Sequence, residues 1–420
     1  MLTIITQFPY ILLYGIFQIF FSAPGQTFLI ALFVAPIFQE MGVSQSVFAG
    51  IYSAATLSAS LFLNPAGRLI DRYYMHHIVI WISILMAAGC WILAGAQNLT
   101  VLFIGFFILR WIGQGVFGLS ASTLIIKQFH KNRGKAIGII TLGFPLSEAI
   151  YPTIALLLLN HFGWRTTYVI FGFSNLILML PFLRFLLFQA KIDHGEFLPG
   201  ETAINPQRLP GGTGHLEVHA RREFTLSETM RDIKFYLLLL ASCLPPMIVT
   251  GLFFHQTTLF AANQWSITYA ASGLMAYAFV KAVCSVSIGP VIDRRGPLLP
   301  FVMLITMLGT GTILAALGGD VWRIYLYYVV IGGALGFSSP VSNVVWPYFY
   351  GTKHMGSIKG IIATFRNGLT ALGPLPVAIG LDAGVSITQI LFWTGLGILC
   401  LASLPVIAFW IDKFEHQRLT

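Results

Sequence analysis

Five ionisable side chains interrupt stretches that are otherwise apolar: Arg110, Glu148, His255, Lys281 and Arg366. A charge inside an apolar helix is costly, so each is a candidate for chemistry. At 1.5 Å of rise per helical residue, Lys281 lies about 12 Å from Gly289 and Arg366 about 15 Å from Gly356. Two cations thus stand at similar depth, with no carboxylate inside the apolar spans of that half to neutralise them. Uncompensated buried charge costs several kcal/mol. A water-filled cavity lowers the cost and an anionic ligand supplies the missing charge; snorkelling of the side chains to an interface is the alternative. Lys281 and Arg366 are therefore candidate anion ligands, with Tyr277 one turn before Lys281 and Asn367 beside Arg366.

Glu148 is the only carboxylate well inside an apolar stretch. It lies about 21 Å past Gly134, and Arg110 lies roughly 22 Å from the same side, so a buried Arg110–Glu148 pair is expected. A second role is open to Glu148, that of proton carrier, because burial raises a carboxyl pKa. His255 admits both a hydrogen-bonded structural role and a proton or substrate role. Gln18, Ser22 and Gln26 recur every four residues and share one helix face. That stripe reads either as a wet wall, with Gln26 a ligand, or as packing through small and polar residues. Ser338, Ser339, Ser342, Asn343 and Trp346 pose the same choice between cavity lining and close packing.

These residues sit in elements set by composition. Of 420 residues 56% are hydrophobic and 9% charged, against roughly 25% charged in a soluble domain. Such a chain cannot cover a water-facing surface, and its apolar runs of about 20 residues read as membrane-spanning helices. Twelve spans are expected, the first near 10–38 and the last near 386–411. The net charge of +9 is no nucleic-acid footprint. Loop Lys and Arg residues gather on one side, while the opposite loops hold only Arg165 and Arg323. The positive-inside rule then places both termini in the cytoplasm of a cell whose inner or plasma membrane holds the protein. The N-terminus lacks a basic n-region and its apolar run is long enough to span, so the first helix is expected to be retained. Cys90, Cys243, Cys284 and Cys400 lie inside spans without paired or metal-ligand spacing, and read as small core residues. Residues 189–233 form the longest hydrophilic stretch and divide a first half, 1–188, from a second, 234–420. A short surface helix is expected near 225–233.

The halves repeat. Gly67-Arg68-Leu69-Ile70-Asp71-Arg72 returns 222 positions later as Gly289-Pro290-Val291-Ile292-Asp293-Arg294. The same offset carries Gly134 to Gly356, Gly138 to Gly360 and Pro152 to Pro374 without a gap. An internal repeat is the first thing to establish about a fold. The copied turn reads as a hinge in which Gly67 and Gly289 let helix ends approach, Asp71 and Asp293 accept hydrogen bonds, and Arg72 and Arg294 lie at the surface.

With these hinges, twelve spans and a central linker, the chain resembles the major facilitator superfamily. Gly67–Arg72 and its copy are similar to the family's loop between the second and third helices of each half, and Arg110 with Gly113 and Gly115 to its fourth-helix motif. The resemblance implies two pseudo-symmetric six-helix halves around a midplane site. Arg133-Gly134-Lys135-Ala136-Ile137-Gly138 and Gly163-Trp164-Arg165 further resemble the monocarboxylate and oxalate/formate porter branch, which holds its anion with cations on helices eight and eleven. Lys281 and Arg366 occupy those helices. The first helix departs from the branch, having Ser22-Ala23-Pro24-Gly25-Gln26 and no acidic-Gly opening.

The expected function is secondary active transport of a small organic anion, a carboxylate, coupled to protons and working by alternating access. The rivals are export of a drug or siderophore-like metabolite, and a non-transporting membrane sensor on the same fold. No enzyme is expected, since no nucleophile–base or metal spacing stands out, and no phosphate-binding loop for ATP is present. No cofactor is called for. The expected partners are the anionic substrate, protons and the lipid bilayer, and the chain is expected to act as a monomer.

Overall fold

The computed structural model describes residues 2–128, 133–190, 223–351 and 355–419, and their regular structure is helical throughout. Most of the 189–233 linker lies outside the described residues. What is described of it includes a short helix, Leu226–Thr229, closed by a capping box between Thr225 and Glu228.

Among the described residues nine stretches are long and apolar enough to cross a membrane. In chain order the passes are α1 (Pro9–Met41), α2 (Gln45–Leu61, extended by Leu63–Arg72), α3 (Met75–Ala94), α4 (Leu99–Ile125), α5 and α6 (Ala136–Gln189, folded back at Gly163), α7 (Ile233–Phe254), α8 (Thr268–Ile292), α9 (Leu298–Leu317), α10 (Val321–Tyr350), α11 (Met355–Leu372 with Pro374–Asp382) and α12 (Ile387–Glu415). They form two six-helix halves, α1–α6 and α7–α12. The reversal between α5 and α6 needs a left-handed residue, and Gly163 supplies it with φ +75°. Asn98 caps α4 by accepting the Val101 N–H, and Ser386 caps α12 through the Gln389 N–H.

The polarity of the molecule is inverted relative to a soluble protein. Aromatic side chains such as Tyr52, Tyr168, Tyr277 and Trp346 fill the interior, while Trp81, Phe279, Val286 and Trp393 project outward at 62–72% exposure. An apolar outer belt of that kind suits lipid and not water. Between the halves, α5 packs on α8, α2 packs on α11, and the far part of α1 packs on α7. The end of the bundle that bears the Arg165 and Arg323 loops is called the basic-poor end below, and the end that bears the termini the basic-rich end.

Two expectations are corrected here. The hinges are not turns. Leu63–Arg72 and Gly289–Arg295 are helical and prolong α2 and α8; the first stops at extended Tyr73, the second at Gly296 with φ +74°. Nor do their glycines permit a close approach. A Cβ on Gly67 would meet only a Leu119 methyl at 3.8 Å, and one on Gly289 would meet nothing within 4 Å. Arg72 and Arg294 are exposed as expected, and the side chains of Asp71 and Asp293 lie outside the described residues.

Candidate functional site

The centre of the molecule holds an ion pair that joins the halves. Lys281 Nζ of α8 donates to both carboxylate oxygens of Glu148 on α5, at 2.7 and 2.9 Å. The Glu148 side chain is 9% exposed and that of Lys281 23%. A depth measured from Gly289 understates that of Lys281. Helix continues past Gly289 to Arg295, which places Lys281 fourteen residues from the helix end, while Glu148 is fifteen residues past Arg133. The Tyr277 ring completes the surroundings, with its centroid 5.3 Å from Lys281 Nζ and an edge contact to Phe253 at 5.3 Å.

The expected Arg110–Glu148 pair is therefore not formed. Arg110 matches Glu148 in depth but points the other way, towards α1 and α2. It stands at the start of a π-helical segment, Arg110–Val116, and is 1% exposed. Its Nη1 donates to the Gly25 carbonyl at 2.9 Å and to Thr27 Oγ1 at 3.1 Å, and its Nε to Thr56 Oγ1 at 3.1 Å. Its guanidinium carbon stands 5.1 Å from the Tyr52 ring centre. The reason is the break in α1. Pro24 cannot continue the helical ladder, the chain passes through a 3₁₀ turn at Ala23–Gly25, and Gln26 is extended with ψ 146°. A freed carbonyl away from water must find a donor. Arg110 is that donor. The crossing is tight, since a Cβ on Gly113 would sit 2.7 Å from the Gly25 Cα, and one on Gly25 would strike the Leu109 carbonyl oxygen.

Other candidates are placed as follows. Gln26 donates to Ser22 Oγ at 3.0 Å and to the Gly113 carbonyl at 3.1 Å, and Gln18 to Ser120 Oγ at 2.6 Å. The polar stripe of α1 thus serves packing against α4. His255 is buried, and its Nε2 lies 2.9 Å from the Pro374 carbonyl where α11 restarts, a bond inside the second half. Asn343 is exposed and its Oδ1 accepts from Lys359 Nζ at 3.2 Å, so it faces the start of α11 rather than the pair. The side chain of Asn367 lies outside the described residues. Arg366 is half-buried midway along Met355–Leu372, the segment of α11 that packs on both α7 and α2. Among the described residues its guanidinium has no hydrogen-bond or ion-pair partner.

Several partners escaped sequence reading. Thr27, Tyr52 and Thr56 receive Arg110, and only the spacing of four between Tyr52 and Thr56 hinted at a shared face. Glu40 accepts from Trp164 Nε1 at 2.5 Å and Arg165 Nε at 2.9 Å, while Arg165 donates on to the Ala94 and Ala96 carbonyls at 2.6 and 2.8 Å. The Gly163-Trp164-Arg165 turn is thus a staple tying α1, α3 and α6 at the basic-poor end.

Residues 15–374 match the sequence profile of the Major Facilitator Superfamily. The chain belongs to this family. Among curated relatives, the uncharacterized MFS-type transporter YhjX of Escherichia coli (strain K12) is 23% identical over 252 residues, 59% of this chain and 54% of its own length. The putative uncharacterized transporter YgaY of the same strain is 30% identical over 139 residues, 31% of this chain and 33% of its own. The matches thus span about half of the first relative and a third of the second. Among solved structures, an inward-facing, occupied bacterial homologue of the human lysosomal transporter Spinster superposes with TM-score 0.66 at 16% identity, covering 95% of each chain. The nucleoside transporter NupG gives TM-score 0.65 at 13% identity, covering 95% of this chain and 99% of its own. These likenesses establish the major facilitator fold.

Proposed function

We propose that the protein is a secondary transporter of a small organic anion, a carboxylate, coupled to protons and residing in the inner or plasma membrane with both termini cytoplasmic. The observation that carries this reading is an imbalance of charge at the interface between the halves. Lys281 is neutralised by Glu148 of the opposite half, whereas Arg366 stands mid-helix with no anionic partner among the described residues. A carboxylate on Arg366 supplies the missing charge. The same carboxylate competes with Glu148 for Lys281, and Glu148, once displaced into an apolar setting, is stable only with a proton. Anion binding and proton uptake are thereby linked through one pair, and breaking that pair releases the halves from each other at their centre. The likeness of residues 133–138 and 163–165 to the monocarboxylate and oxalate/formate porters agrees with an anionic substrate.

The test is uptake into proteoliposomes, with and without an inward proton gradient, over mono-, di- and tricarboxylates and neutral controls. One acid should accumulate, and Arg366→Gln should reduce its uptake at least tenfold in protein that still inserts and purifies as wild type. Full uptake by Arg366→Gln removes Arg366 from the site. No uptake of any acid by folded wild-type protein overturns the reading in favour of export of a larger compound or of binding without transport.

A further inference from the structure

We infer that Asp382 is a gating residue that latches the two halves together at the basic-poor end, an inference that rests on the transporter reading for its role in a cycle but not for its geometry. Polar contacts cross between the halves at the Glu148–Lys281 pair and at the start of α2, where the Ser46 backbone N–H donates to Asp382 Oδ2 at 2.8 Å. Asp382 is the last residue of α11, and Ser46 lies in the first turn of α2. N–H groups of a first turn have no acceptor within their own helix and form its positive end. Ser44, the residue before the helix, takes the Val47 N–H. A carboxylate from the opposite half takes the Ser46 N–H.

The surroundings make this a latch rather than a fixed cap. Residues 42–61 and 374–390 contain no charge besides Asp382, so nothing else there holds the ends together electrostatically. The Ser46 and Ser44 side chains and the Gln45 N–H also hydrogen-bond Asp382, so one carboxylate accepts from the whole opening turn of α2. Asp382 is exposed and Ser46 half-buried, so water can replace each when the contact opens. Beneath it, Phe254 of α7 lies across Phe48 and Tyr52 of α2, with ring centroids 5.8 and 4.8 Å apart. Tyr52 is the ring that faces Arg110, so the closed end is joined directly to the broken segment of α1. Opening the basic-poor end requires Asp382 to leave Ser46 and Phe254 to leave Tyr52.

Electron-electron distance measurements on the full chain in nanodiscs test this, with spin labels at Gln97→Cys and Asp320→Cys, one on each half at the basic-poor end, and Cys284 and Cys400 replaced by Ala. Asp382→Asn should raise the ratio of long to short distances roughly five- to tenfold, because the first-turn donors lose their charged acceptor. Ser46→Pro removes the N–H and the hydroxyl of that residue in a first turn, where proline is tolerated, and should shift the ratio the same way but less, since Ser44 and Gln45 remain as donors. The two together should give no more than Asp382→Asn alone, and Asp382→Glu should restore the wild-type distribution. A distribution unchanged in both single variants, or a strictly multiplicative double variant, overturns the latch. Because the readout is a distance, a latch that opens as expected in protein that moves no carboxylate sustains this inference while sinking the anion reading.

Discussion

At the scale of single residues, the chemistry turns on Glu148, because it is the group that Lys281 has and Arg366 lacks. Glu148→Gln keeps the shape and one hydrogen bond to Lys281 but removes the charge and the proton site. Removing one partner of a buried pair costs about 3–5 kcal/mol in full burial, and the 23% exposure of Lys281 lowers that figure. The variant should therefore fold. It should lose uptake driven by a pH gradient while retaining exchange of labelled for unlabelled anion, measured in the same vesicles. Retention of gradient-driven accumulation would show that the proton travels elsewhere. The sequence announced which residues were unusual but not whom they meet. Counting along a helix gives depth; it gives neither the direction a side chain faces nor the identity of a partner 133 positions away. Arg110 and Glu148 agreed in depth and still face different neighbours.

At the scale of elements, apolar length made the helices legible, and the Pro24-Gly25 break was legible as a break. What it was for was not, since the answer lay on α4: Arg110 supplies the donor that the broken α1 lacks, and Gly113 makes room for the crossing. The hinges were misread for a related reason. Glycine and proline usually mark turns, but near a helix end both are compatible with helix, and proline at the second position of Gly289–Arg295 starts that segment rather than stopping it. The α1–α4 crossing yields a sharp expectation. Gly25→Ala forces the two backbones apart and lengthens the Arg110 bond to the Gly25 carbonyl, so overpacking and a weakened buried bond combine. Its cost should be about 2–4 kcal/mol. Thermal unfolding in detergent should show a clearly lowered midpoint, whereas Gly67→Ala, in open helix, should leave the midpoint unchanged.

At the scale of the whole molecule, the repeat at an offset of 222 residues foretold two similar halves, and the fold has them. It could not foretell how they are held, because the repeat is silent about contacts between copies. Beyond helix packing, polar contacts join them at different depths, Glu148–Lys281 at the centre and Asp382 with the first turn of α2 at the basic-poor end, and they respond to different things: the first to an anion and a proton, the second to the motion itself. If the halves rock as units, fixing the second contact must stop transport without emptying the first site. Ser46→Cys with Asp382→Cys, joined by a short dithiol-reactive crosslinker, should cut net uptake at least tenfold, and a cleavable crosslinker should return it on reduction. Binding of the transported acid, followed by scintillation proximity on the crosslinked protein, should persist and should still depend on Arg366. Undiminished uptake by fully crosslinked protein would mean that the basic-poor end need not open, and the halves would then have to move in some way other than rocking about their shared centre.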